Sequence, residues 1–198
     1  VPKYSYQRED VIREQELGEI FDEAGRVKAY GLPPEAWQCL IAIMWLYGKR
    51  ISETVPLIVE TVRISKYLSI GFTVLKKKSY KDPGVKLRFN KRVTRKNPYT
   101  DYVVNWHKEI KGSHHFLFYR PQTKMGYIYR QYANEVLKSI SDRVSPHLFR
   151  HSLATQMAEE GATAYQLINW FDWDRTDTAL EYIRRSGRMT QELSDRKW

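Results

Sequence analysis

The chain has 198 residues, a formal net charge of +10 and 42% hydrophobic residues, enough for one domain with a sizeable core, alone or with a small appendage. Cys39 is the sole cysteine, which excludes a disulfide scaffold and a cysteine-based zinc site and points to a reducing, cytoplasmic compartment. The longest apolar run, 39–47, is too short to span a bilayer, no signal peptide is visible, and the excess of Lys and Arg favours a polyanionic partner.

Taken in chain order, residues 1–10 read as a polar linker or arm, and the start at Val1 without a methionine reads as an excised fragment. Val11, Ile12, Leu17, Ile20 and Phe21 approximate a helical stripe over 11–24. Pro33 and Pro34 open a second helix, whose stripe of Trp37, Leu40, Ile41, Met44 and Trp45 is core at helical period. Gly48 is placed to end it, so Arg50 stands just past a buried helix. Ser52 is placed to start another, with Pro56 limiting its length.

Residues 62–97 change character. Val62, Ile64, Tyr67, Leu68, Ile70, Phe72, Val74 and Leu75 are strand-forming, and Asp82-Pro83-Gly84 signals a turn. Val85, Leu87 and Phe89 then alternate with Lys86, Arg88 and Asn90, which predicts a returning strand with one wet, basic face. This stretch holds twelve Lys or Arg against one acid, Asp82. Such a ratio fits a nucleic-acid contact better than a merely soluble hairpin.

Beyond Pro98 the pattern is helical again. Helices are predicted over 102–110 and 125–140, with a brief extended run at 115–119 between them. Ser145 can cap a helix whose first position suits Pro146 and which ends near Gly161. Thr163 and Gln166 form a capping box for the next helix. A last helix, 176–185, carries Tyr182. The fold class is α+β, mainly helical, with a small antiparallel sheet. There is no GxxxxGKS/T loop, so nucleotide hydrolysis has no support. The histidines lack metal-ligand spacing with acids or cysteines, so neither metal nor other cofactor is expected.

His147 and Arg150 stand three residues apart on one helical face. That face offers a titratable donor and a permanently charged fork shaped for phosphate. Arg50 could complete the clamp. His151 points elsewhere on the helix and reads as a structural hydrogen bonder.

From about Arg13 onward the chain resembles the catalytic domain of the tyrosine recombinases, the phage integrase family. The resemblance rests on three boxes in order. Leu46-Tyr-Gly-Lys-Arg50-Ile-Ser-Glu53 is similar to that family's first arginine box. Ser145-Pro-His147-Leu-Phe-Arg150-His151 is similar to its His-x-x-Arg box, and Thr178-Ala-Leu-Glu-Tyr182 stands where the nucleophile belongs. Phe116-Leu-Phe118 and the helix after it resemble the connecting segment. The sequence departs at Asp172-Trp173, where many members carry glycine and histidine. Trp173 either donates its indole N–H to a phosphate oxygen or packs in the core.

The resemblance implies a site-specific recombinase or integrase that cleaves and rejoins double-stranded DNA without metal or ATP. Arg50, Arg150 and His147 would hold the scissile phosphate, and Tyr182 would attack it to form a 3′-phosphotyrosine. A lysine on a β-hairpin would protonate the departing 5′ oxygen: Lys77 by alignment, with Lys76 and Lys78 beside it. Glu53 and His151 would orient the site. Lys76, Lys78, Lys81, Lys86, Arg88, Arg184 and Arg185 are the expected DNA contacts, the last two alternatively a solvated helix end. The family also implies a tetramer on paired DNA sites, prokaryotic or viral origin, and an N-terminal DNA-clamping domain for which this chain has no room. Alternatives are a type IB topoisomerase and a non-catalytic DNA-binding module. One further expectation is that Arg150→Ala removes cleavage and leaves the fold.

Overall fold

The computed structural model describes residues 10–73, 87–88 and 91–187, with only the backbone at 87–88. Its centre is α2, Pro34–Tyr47, in which ten of fourteen residues are buried. An apolar helix with no wet face must be wrapped, and α2 is packed by α1 (Glu14–Ala24), α4 (Thr100–Ile110) and α6 (Pro146–Glu159). In α1 the buried residues Leu17, Ile20, Phe21 and Ala24 form a single stripe. The short helix α3, Ile51–Thr54, follows α2 and touches α5, Arg130–Ile140.

Three strands form an antiparallel sheet in the order β1-β2-β5: β1 Val62–Ile64, β2 Tyr67–Ile70 and β5 Arg92–Thr94. A second ladder pairs β3, Phe72–Thr73, with β4, Leu87–Arg88. Leu68 pairs with Val93, and both face the core. On the opposite face Arg63, Ser69 and Arg92 line up in one row across the strands, with both arginines exposed. The turn expected at 82–84 and the basic face expected on the returning strand over 85–90 lie outside the described residues, apart from the backbone of Leu87–Arg88.

The expected starts differ at three helices: α1 begins at Glu14 and not at 11, α4 at Thr100 and not at 102, and the largest difference is at α5. That helix begins at Arg130 and not at 125, because residues 119–127 close a turn first. Thr123 Oγ1 donates to the carbonyls of Arg120 and Tyr127, and Gly126 takes a positive φ of 76°. Ser145 does cap α6, accepting from the Leu148 N–H at 3.2 Å, and Thr163 with Gln166 forms the capping box of α7, Ala164–Phe171.

The last helix, α8 (Thr176–Arg185), rests on a separate small cluster made with α6 and α7: Ala154, Ala158, Leu167, Phe171 and Ala179. Of its own residues only Ala179 is fully buried. Among the described residues no helix is long and apolar enough to cross a membrane.

Candidate active site

Gly48 sets the geometry. It ends α2 in the left-handed region (φ 57°, ψ 32°), and a Cβ there would meet Phe171 Cε1 at 2.4 Å. Only glycine satisfies both demands. The close approach brings two carbonyls to one side chain: Arg150 Nη1 donates to Gly48 O at 2.7 Å, and Nη2 donates to Phe171 O at 2.6 Å. The guanidinium also lies over the rings of Phe171, at 5.1 Å, and Trp173, at 5.7 Å. Arg150 is 8% exposed. A planar fork anchored through one edge presents its charge in a fixed direction.

Burial, then the neighbouring charge of Arg50, pull the Arg150 pKa down from 12.5 to about 10, against the opposing influence of Glu53, Tyr182 and Asp172. Arg150 remains a cation at neutral pH, and these four groups stand within electrostatic reach of it. Arg50 is half-buried and held by Glu53, whose carboxylate accepts from the Arg50 backbone N–H and from Nη1, both at 3.2 Å.

Tyr182 meets this cluster from α8. Its ring stacks on Trp173 (5.3 Å, 10° between planes), and Trp173 stacks on Phe171 (4.8 Å, 21°). The phenol oxygen lies 3.2 Å from His151 Nδ1. His151 is buried on α6 directly after Arg150. His147 stands one turn before Arg150, in the exposed first turn of α6. The structure thus brings together Arg50, Glu53, Arg150, His151, Trp173 and Tyr182. Lys76, Lys77, Lys78, Lys81 and Lys86 lie outside the described residues, as does the side chain of Arg88. Arg184 and Arg185 flank the tyrosine on α8 and both pair with Glu181, Arg185 Nε at 2.7 Å.

Three residues absent from the expected site sit directly behind it. Lys49 and Lys91 both donate to Asp172 Oδ2, and all three are buried. Burial first, and then the charge of Lys49, pull Lys91 down to about 7. Burial pushes Asp172 up, but the hydrogen bonds and charges of the two lysines outweigh it and hold the carboxyl below its ordinary value. Lys91 belongs to the basic stretch by sequence yet faces inward. The only sequence signal was the carboxylate at 172, where the family resemblance expects glycine.

Two cavities among the described residues, about 660 Å³ beside α1 and β5 and about 510 Å³ beside α7, are not lined by Arg50, Arg150 or Tyr182. Among the described residues no three His, Cys, Asp or Glu side chains are grouped to hold a metal ion.

A mainly helical core with a small sheet, two arginines and a tyrosine on the last described helix defines a class: the tyrosine-recombinase catalytic fold. The chain matches the phage integrase family model over residues 10–188 and belongs to that family. No curated protein matches it in sequence. Among solved structures it is similar to the XerH site-specific recombinase bound to palindromic difH substrate in a post-cleavage complex, with a TM-score of 0.67 at 16% identity. That match covers 93% of this chain and 52% of the other. It is similar also to the XerA recombinase (TM-score 0.67, 12% identity, 100% and 68% covered). A third is the Tn1549 transposon integrase in complex with a circular intermediate DNA (TM-score 0.61, 15% identity, 92% and 65% covered). The chain spans about half the length of the XerH recombinase, and at these identities the likeness is one of fold.

Proposed function

We propose that residues 11–198 are the catalytic unit of a site-specific DNA recombinase or integrase, with residues 1–10 as a linker. The observation that carries this reading is the anchored Arg150 guanidinium beside the Trp173–Tyr182 stack. Attack on a phosphodiester concentrates negative charge on the non-bridging oxygens, and donors fixed in advance lower that barrier most. Arg150, with Arg50 alongside, supplies two charged forks. His147 adds a third donor from the exposed start of α6.

Tyr182 Oη attacks phosphorus, the bond to the 5′ oxygen breaks, and the enzyme is left as a 3′-phosphotyrosine. The tyrosine proton must leave as the P–O bond forms, and His151 Nδ1, at 3.2 Å, is positioned to take it when its tautomer leaves that nitrogen free. Lys77 gives a proton to the departing oxygen. Attack by a second 5′ hydroxyl reverses these steps and rejoins the strand, so no ATP is consumed. Double-stranded DNA bound across the Arg63–Ser69–Arg92 row, assembly as a tetramer on paired sites, and a cytoplasmic, prokaryotic or viral setting complete the proposal.

The test is a pool of nicked suicide duplexes of randomised sequence. Wild type should yield a denaturant-resistant protein–DNA adduct and Tyr182→Phe none. Identical adduct-free lanes for both would favour a non-catalytic DNA-binding module.

A further inference from the structure

The buried group behind the site points further, on the premise that the site cleaves DNA. Lys49, Asp172 and Lys91 come from three segments: the end of α2, the turn between α7 and α8, and the entry to β5, respectively. They are 1%, 7% and 3% exposed. Asp172 is one of only two non-glycine residues with positive φ among the described residues (φ 51°), which turns its carboxylate inward from the α7 cap.

Burying two ammonium groups and a carboxylate gains little stability over an apolar filling of equal volume. Their position supplies a reason beyond stability. Lys49 follows Gly48 and Asp172 follows Phe171, the two residues whose carbonyls hold Arg150. Asp172 also precedes Trp173, the ring on which Tyr182 stacks. The ionic bonds therefore pull together the two backbone segments that grip the guanidinium. Lys91 anchors the same carboxylate to the sheet.

We propose that Lys49, Asp172 and Lys91 are a positioning triad, which registers the Gly48 and Phe171 carbonyls on Arg150 and the Trp173 ring on Tyr182. None of the three touches the scissile phosphate. They act on the rate of strand cleavage and not on the affinity for DNA.

Asp172→Asn alone leaves buried ammonium groups without a countercharge and is prone to unfold. The informative variant is Lys49→Met/Asp172→Asn/Lys91→Met, which removes the three charges of the triad and keeps its volume. Two readouts on the whole chain decide the matter. The first is the Arg150 side-chain N–H signals by NMR, which require no DNA. The triad predicts sharp, slowly exchanging Nη signals in wild type, and broadened or shifted ones in the triple variant at an unchanged melting temperature. The second is adduct formation on a nicked duplex that wild type captures from the randomised pool. Cleavage should fall at least tenfold at saturating DNA, with the Kd within about threefold of wild type.

A folded triple variant with wild-type Arg150 signals and a wild-type cleavage rate would overturn the triad. Should wild type capture no duplex at all, the cleavage reading fails, and the Arg150 signals alone still accept or reject the positioning.

Discussion

Arg150, proposed above to hold the scissile phosphate, is also part of the scaffold. Its two carbonyl bonds and its place over two rings mean that Arg150→Ala strips donors from Gly48 O and Phe171 O in a buried site. Each orphaned carbonyl costs about 1–3 kcal/mol. The expectation that this variant leaves the fold intact is therefore revised: urea denaturation should show a loss of roughly 2–5 kcal/mol alongside the loss of cleavage. Gly48→Ala should be damaging through a different route, since its Cβ would overlap Phe171 and its φ is left-handed. Overpacking and backbone strain together predict a loss of about 2–4 kcal/mol by the same measurement. Tyr182→Phe, by contrast, keeps the stack on Trp173 and should melt within a few degrees of wild type.

At the level of elements, the last helix is the least anchored part of the described chain. Only Ala179 of α8 is fully buried, and Leu180 is 48% exposed, whereas α2 is buried almost throughout. Local opening free energy follows the apolar surface an element buries. Hydrogen exchange of the unbound chain should be faster across α8 than across α2 by orders of magnitude, and equal protection would contradict this. The basic row on the sheet carries its own prediction. Removing Arg63 and Arg92 together should weaken DNA binding for every sequence and flatten the salt dependence by ~0.9 in log–log slope for each phosphate left unneutralised.

These elements also show what could be read beforehand. Proline pairs, the Gly48 stop, the Ser145 cap and the Thr163–Gln166 box are local signals, and the helices they bound formed where expected. The helix over 125–140 was overextended because the turn before Arg130 depends on Thr123 side-chain bonds, which periodicity does not register. The ion triad was illegible for a deeper reason. Lys49, Lys91 and Asp172 are 81 to 123 residues apart in two of their pairings, and nothing local marks a lysine as buried.

For the molecule as a whole, buried titratable groups shape the pH dependence of stability. Burial lowers the pKa of His107, so the unfolded chain binds a proton that the folded one resists, and stability falls as pH drops below about 6.5. Lys91 acts in the same direction in a higher window: between about 7 and 10.5 the unfolded state holds the proton the folded state has lost, and stability rises with pH. Cys39 and Tyr47 oppose this. Burial raises both, so above about 9 and 10 respectively the unfolded state ionises first and stability falls. Melting temperature should therefore climb from pH 5 to a maximum near 8–9 and then decline, and Lys91→Met should lose the rise above 7. A flat profile between 7 and 9 in wild type would contradict the burial of Lys91.

The most direct measurement is peptide mapping of the covalent complex. The wild-type chain is trapped on its captured nicked duplex, digested with nuclease and trypsin, and the residual nucleotide is located by mass spectrometry. A 3′-linked nucleotide is expected on the 176–184 peptide, carried by Tyr182. A nucleotide on any other residue, or a 5′ linkage, would contradict that assignment.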